Sequence, residues 1–130
     1  MAENRTTTAS CHTERTVGDA TVVELRGEID ILTALPLSVR IDALTAGACP
    51  DLVLDLRPVT FIDCSGLRLL CQAHNRVRGR QGRLRLVADR DRLMRVLRPA
   101  RLAGVFEIHP DLPADLFGAR RQDAVGVAAG

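Results

Sequence analysis

VTFIDCSGLRLL, the stretch from Val59 to Leu70, changes its hydrophobic period midway. Val59 to Ile62 is β-branched and aromatic, the composition of a buried strand, and beyond Asp63-Cys64-Ser65-Gly66 the apolar residues fall at helical spacing. A strand that passes directly into a helix exposes the first backbone N–H groups of that helix, and the unpaired donors and the macrodipole favour an anion there. Asp63 is suited to cap those amides, Gly66 to let another backbone or a nucleotide come close, and Ser65 to offer a hydroxyl at the surface. The same residues also fit a purely structural turn, in which Asp63 and Ser65 cap a helix and nothing more.

Working outward, the helix opened by this turn runs from Ser65 to Arg78, with Leu67, Leu70, Cys71, His74 and Val77 on one side and Arg68, Gln72, Asn75 and Arg76 on the other. Upstream, LVLDL (Leu52 to Leu56) is a short apolar run between Pro50 and Pro58, which fits a central strand covered on both faces. Gly18-Asp19 marks a hairpin turn between an edge strand near Cys11 to Thr16 and a strand from Ala20 to Arg26, whose alternation predicts one wet face. Thr33 is expected to cap a helix to about Ala46, with Leu37, Ile41 and Leu44 as its apolar stripe and Pro36 near its start. Downstream, a strand over Leu84 to Ala88, a helix from about Asp91 to Arg98 ended by Pro99, and a short strand over Phe106 to His109 follow, then a helical turn or two over Asp111 to Phe117. The order predicts an α/β fold: a mixed β-sheet of four to five strands packed with about four α-helices, because consecutive parallel strands need helical crossovers. Residues 1–10 and 118–130 are polar or glycine-rich and aperiodic, and read as flexible ends around one domain of residues 11–117.

The chain has 130 residues, 46% of them apolar, enough for one core without disulfides or a structural metal. All 18 basic residues are arginine. They are unevenly placed: Arg68 to Arg101 holds 11 arginines against Asp89 and Asp91, net +9, leaving 7 arginines, 14 acids and net −7 for the rest. With Phe61, Phe106 and Phe117 as the only aromatics, a base-stacking platform for single-stranded nucleic acid is disfavoured. The Arg-rich stretch still raises nucleic-acid binding as a rival, but it spreads over two helices and a strand with no docking motif, so a solvated or partner-facing basic side is the expectation. No apolar run approaches a membrane span and the first ten residues lack a signal-peptide core, which predicts a cytoplasmic protein. Cys11, Cys49, Cys64 and Cys71 lack CxxC spacing and read as free thiols, mostly small apolar fillers. Cys71 and His74 lie one helical turn apart, but on the apolar stripe and with no further ligands, so core packing is favoured over a metal site. Ser65 has neither a G-x-S-x-G elbow nor an evident His–Asp pair, which argues against a serine hydrolase.

In collinear order over about residues 10 to 118, the chain resembles the STAS domain family, the fold of bacterial anti-sigma factor antagonists. The resemblance is carried by Gly27-Glu28-Ile29-Asp30, by Thr33-Ala34, by Leu52-Val53-Leu54-Asp55-Leu56, and above all by Ile62-Asp63-Cys64-Ser65-Gly66-Leu67, which is similar to the family's hydrophobic-Asp-Ser-Ser-Gly-Leu signature. Gly82 to Val87, Val96-Leu97 and Leu102 to Phe106 match its later elements.

The resemblance implies a non-enzyme that needs no cofactor and works by partner switching. Unphosphorylated, it docks on an anti-sigma factor that is itself a serine kinase and so frees the sigma factor; phosphorylated at the position of Ser65 it lets go, and a phosphatase restores it. Cys64 stands where the family has the first serine of its pair. Asp30, Asp63, Cys64, Gly66, Arg68, Leu69 and Gln72 are the expected partner-binding residues, with Leu69 as a small exposed apolar anchor and Arg68 within reach of the phosphate. Asp30 reads equally as a loop carboxylate before the Thr33 cap, and Arg68 and Gln72 as the solvated side of their helix. No direct nucleic-acid or membrane contact is implied. The alternative role within the family is a STAS scaffold or lipid-transport subunit that is never phosphorylated. Self-association and the identity of the sigma factor are not legible in the sequence.

Overall fold

The computed structural model describes residues 12–114 and residue 116. Its elements are β1 His12–Val17, β2 Ala20–Leu25, β3 Gly27–Ile29, α1 Ile31–Leu44, β4 Asp51–Asp55, β5 Val59–Ile62, α2 Cys64–Gly79, β6 Arg83–Val87, α3 Arg90–Leu97 and β7 Glu107–His109. Five strands form one sheet in the order β1-β2-β4-β6-β7, antiparallel between β1 and β2 and parallel elsewhere. The expected mixed α/β sheet is therefore present, with the run around Leu54 at its centre. Of the expected turn over 111–117, residues 111–114 and 116 are described, and the Leu116 N–H donates to the Pro113 carbonyl at 3.1 Å; Cys11 and the two ends lie outside the described residues.

Strand β2 corrects the expectation of a wet face in part: Glu24 stays half-exposed, but Ala20 and Val22 on the same face are buried. Val23 and Leu25 face the main core, where they meet Leu37 and Ile41 of α1, Leu70 and Val77 of α2, and Leu93 and Leu97 of α3. Ala20 and Val22 point the other way into a second, smaller cluster with Val17, Val53 and Val87, covered by Leu112 and Leu116 of the C-terminal segment. Both sides of β4 are consequently dry, with Leu52, Val53 and Leu54 each no more than 1% exposed.

A second departure is the separate two-stranded parallel ribbon of β3 and β5. Gly27, at φ +76°, makes the break between β2 and β3 in a conformation that side chains rarely adopt. The stretch expected as a buried strand, Val59 to Ile62, is β5 of this ribbon, and Thr60 and Phe61 are exposed. It lies outside the main sheet, so only Val59 is fully buried.

Part of the uneven charge along the chain is cancelled in space. Arg76 pairs with Asp42 at 2.7 Å, Arg83 with Glu107, and Arg85, 1% exposed, with Asp51 at 2.9 Å. Each basic member comes from the Arg-rich stretch and each acid from outside it. The buried guanidinium of Arg85 requires such a carboxylate, because an unpaired charge in the interior is costly. Along α3 and at its C-cap, by contrast, Arg90, Arg92, Arg95 and Arg98 all lie exposed.

Candidate functional site

Strands β3 and β5 run in parallel with Ile29 opposite Ile62, and the next residue of each strand caps a helix. Asp30 accepts from the backbone N–H of Leu32 at 3.0 Å and of Thr33 at 3.3 Å, and Asp63 accepts from Ser65 at 2.8 Å and Gly66 at 3.2 Å. The strand register therefore sets the first turns of α1 and α2 side by side. This corrects the expected Thr33 cap. Asp30 is the N-cap, and Thr33, three residues on, closes a capping box by accepting from the Asp30 N–H at 3.0 Å. Asp30 is thus a structural cap rather than a loose loop carboxylate.

Gly66 packs tightly against the β3–β5 ribbon. A Cβ built there would lie 2.8 Å from the Ile29 carbonyl oxygen and 2.7 Å from Ile62 Cγ2. The backbone that approaches Gly66 is therefore β3, whose Ile29 carbonyl also accepts from the Asp63 N–H at 3.3 Å. Seen from the sequence, the glycine was legible and its neighbour was not.

Between α1 and α2 lies a groove of about 430 Å³ lined by Ile31, Ala34, Leu35 and Ser38 on one side and by Cys64, Ser65, Arg68, Leu69 and Gln72 on the other. Ser65 is half-buried at its mouth, and among the described residues its hydroxyl has no hydrogen-bond partner. Cys64, Arg68 and Gln72 are exposed, and Ser38 Oγ donates to Gln72 Oε1 across the groove at 3.2 Å. Cys49 is exposed as well, so of the three described free cysteines only Cys71 is a partly buried filler. His74 packs edge-on against Phe106 with ring centroids 5.5 Å apart, and burial, together with nearby Arg78, holds its pKa below the usual histidine value.

Leu69 is not an exposed anchor. It is 2% exposed and belongs to the main core, because α2 is covered on two sides, by the sheet and by α1. The exposed apolar residues are instead on α1: Ile31, Leu32, Leu35 and Val39 are 72%, 80%, 70% and 62% exposed. The signal was present in ILTALPLSVRIDAL, which carries apolar residues well beyond one stripe; such a helix has more apolar surface than one core face can cover. Arg40, on the same helix, bonds Glu14 of β1 through two nitrogens at 2.6 and 2.8 Å, which holds the Glu14 carboxyl below its usual range.

Comparison with known proteins places this geometry among relatives. The family described as Mlab, STAS domain, matches residues 12–110. Among solved structures, the chain is similar to an anti-sigma factor antagonist from Mycobacterium paratuberculosis, at 30% identity over 85% of this chain and 92% of that one, with a TM-score of 0.70. It is also similar to an anti-sigma-factor antagonist (STAS) domain protein from Planctomyces limnophilus, at 19% identity, 82% and 96% coverage and a TM-score of 0.68. A third is the Bacillus cell fate determinant SpoIIAA in its phosphorylated form, at 17% identity, 88% and 98% coverage and a TM-score of 0.60. No curated protein matches the chain.

Proposed function

The chain belongs to the STAS domain family, and from that premise we propose that it is an anti-sigma factor antagonist that docks on an anti-sigma factor kinase through the α1–α2 groove and is released by phosphorylation of Ser65. The observation that carries the proposal is the place of Ser65: a hydroxyl at the mouth of a groove flanked by the exposed apolar face of α1. The similar protein from Mycobacterium paratuberculosis is an anti-sigma factor antagonist, and one relative by fold, SpoIIAA, is known in a phosphorylated form.

The groove explains how one modification removes binding and spares the fold. Phosphate brings roughly −1.5 to −2 charges to the second residue of α2, where the helix N-terminus and Arg68, one turn further on, offset its repulsion from Asp63. A partner that covers Ile31, Leu35 and the groove mouth has to strip water from that phosphate, and the desolvation is unfavourable without a matching cation. Docking is therefore lost while both caps stay in place. The chain contributes only the acceptor hydroxyl; ATP, the metal and the base belong to the kinase, and a phosphatase reverses the step. Of the expected partner-binding residues, Cys64, Arg68 and Gln72 are assigned to the contact surface. Asp30, Asp63 and Gly66 shape it from beneath, and Ile31, Leu32, Leu35 and Val39 replace Leu69 as apolar anchors. Among the described residues no helix is long and apolar enough to cross a membrane, and a cytoplasmic site of action is part of the proposal.

The test uses the whole chain and its cognate ATP-loaded kinase. Peptide mass mapping is expected to find phosphate on Ser65 alone, Ser65→Ala to remain unmodified, and Ser65→Asp to bind the kinase at least about tenfold more weakly, the equivalent of about 1.4 kcal/mol. Modification of Ser65→Ala, or a Ser65→Asp chain that binds as tightly as the parent, would refute it. Recovery of the native chain in a transport complex with no kinase present would favour the unphosphorylated scaffold instead.

A further inference from the structure

A second cleft, of about 310 Å³, opens between β5 and α3 and shares no lining residue with the groove beside Ser65. Leu56, Val59, Leu93 and Val96 make its walls apolar, and the Phe61 ring, 52% exposed, stands at its edge. Three charged side chains reach the rim, and two of them are committed. The Arg57 guanidinium bonds the buried Asp55 carboxylate at 3.0 and 2.8 Å and meets Asp111 at 3.3 Å. Asp89 caps α3 by accepting from the Arg92 N–H at 3.3 Å. Arg92 is different. Among the described residues no carboxylate lies in ion-pair range of its guanidinium, which extends from α3 towards β5 and touches the Thr60 carbonyl at 3.5 Å, the outer limit of a hydrogen bond.

One uncommitted guanidinium over an apolar floor complements a molecule with an apolar body and a single anionic head. The volume is at the lower end of small-molecule sites, and a guanidinium matches a carboxylate with two parallel N–H donors. With Arg57 neutralised and Asp89 close by, the rim holds little net positive charge, which favours a monoanion over a doubly charged phosphate. We propose that the β5–α3 cleft binds a small amphipathic carboxylate, its apolar part between Phe61 and Val96 and its carboxylate on Arg92. The proposal is independent of the Ser65 switch and uses none of its residues.

Titration of the full chain with decanoate, decanol and decyl phosphate, followed through backbone amide NMR shifts, tests it. Decanoate is expected to shift residues 59–62 and 89–96 and to bind about fivefold more tightly than decanol, the contribution of one partly exposed charge pair. Arg92→Gln should bring decanoate down to the affinity of decanol and leave decanol binding unchanged, while Phe61→Ser should weaken both alike. Equal binding of decanoate and decanol by the parent chain, tighter binding of decyl phosphate than of decanoate, shifts confined to the α1–α2 groove, or no binding at millimolar ligand would each overturn the proposal.

Discussion

Replacing Gly66 by alanine is expected to destabilise the protein, although the same replacement at Gly79, on the same helix, is expected to stabilise it. Inside a helix alanine is favoured over glycine by up to about 1 kcal/mol, so propensity alone gives both changes the same sign. Space decides between them. At Gly66 a Cβ would sit 2.7 Å from Ile62 Cγ2, 2.8 Å from the Ile29 carbonyl oxygen and 3.1 Å from Ile29 Cγ2, whereas at Gly79 nothing lies within 4 Å. Isoleucine is stiff at χ1 and the carbonyl belongs to β3, so the first turn of α2 has to withdraw from the ribbon and stretch the 3.3 Å bond from Asp63 N–H to Ile29. Overpacking costs about 1–3 kcal/mol, the weakened bond about 1 more, and the helical gain returns up to about 1. The net loss is about 1–3 kcal/mol, or roughly 4–12 °C in Tm for a chain of this length. Gly79→Ala should gain a few tenths to about 1 kcal/mol. Urea denaturation followed by circular dichroism measures both. A Gly66→Ala protein at least as stable as the parent would show that the first turn of α2 is not in the close contact with the β3–β5 ribbon described.

Three further outcomes follow from the same geometry. Leu69→Asp should unfold the chain or cost more than about 4 kcal/mol, because it removes a core leucine and buries a charge, whereas Leu35→Asp should change stability by about 0.5 kcal/mol or less and weaken kinase docking at least about tenfold; a Leu69→Asp protein as stable as the parent in urea denaturation would put the helix face wrong. The Arg83 guanidinium, with help from His109, holds the Glu107 carboxyl down to about 2, against desolvation, which pushes it up. Because that value lies below the usual 4.5, the stabilisation is complete above pH 4.5 and is lost as pH falls towards 2. Both side chains are more than a third exposed, so screening limits the contribution to about 1 kcal/mol or less, and Glu107→Gln should flatten the acid limb of the stability curve; a Glu107 titration midpoint near 4.5 by NMR would count against the pair. Asp30→Ala removes the acceptor for two amides of α1 and should cost about 1 kcal/mol in urea denaturation, with Asp30→Asn retaining most of it.

The α2 turn was legible because its signals are local: an Asp cap, a glycine and a switch of period all lie within a few residues. What the sequence concealed depends on partners far along the chain. Leu69 looked exposed because one apolar stripe was assigned to α2, yet α1 covers a second side of it. On α1 the core stripe of Leu37 and Ile41 was read correctly, while Ile31, Leu35 and Val39 are just as apolar and remain outside. The wet face assigned to β2 is wet only at Glu24, because Leu112 and Leu116, at the other end of the chain, close over Ala20 and Val22. The β3–β5 ribbon escaped notice because three residues beginning with glycine carry no measurable period.

On the proposed function, the paired strand ends that carry Asp30 and Asp63 decide what kind of enzyme could read Ser65. A peptide of residues 59–70 contains the serine, its capping aspartate and the glycine, but not the Ile29 carbonyl, the wall of α1 or the groove. Cut free, the segment is too short to hold a helix in water. What a modifying enzyme meets in the intact chain is a tertiary surface built from two separated stretches. Under the proposed switch Ser65 would be addressed by shape rather than by a linear motif, and a chain that has not finished folding would not yet carry the address.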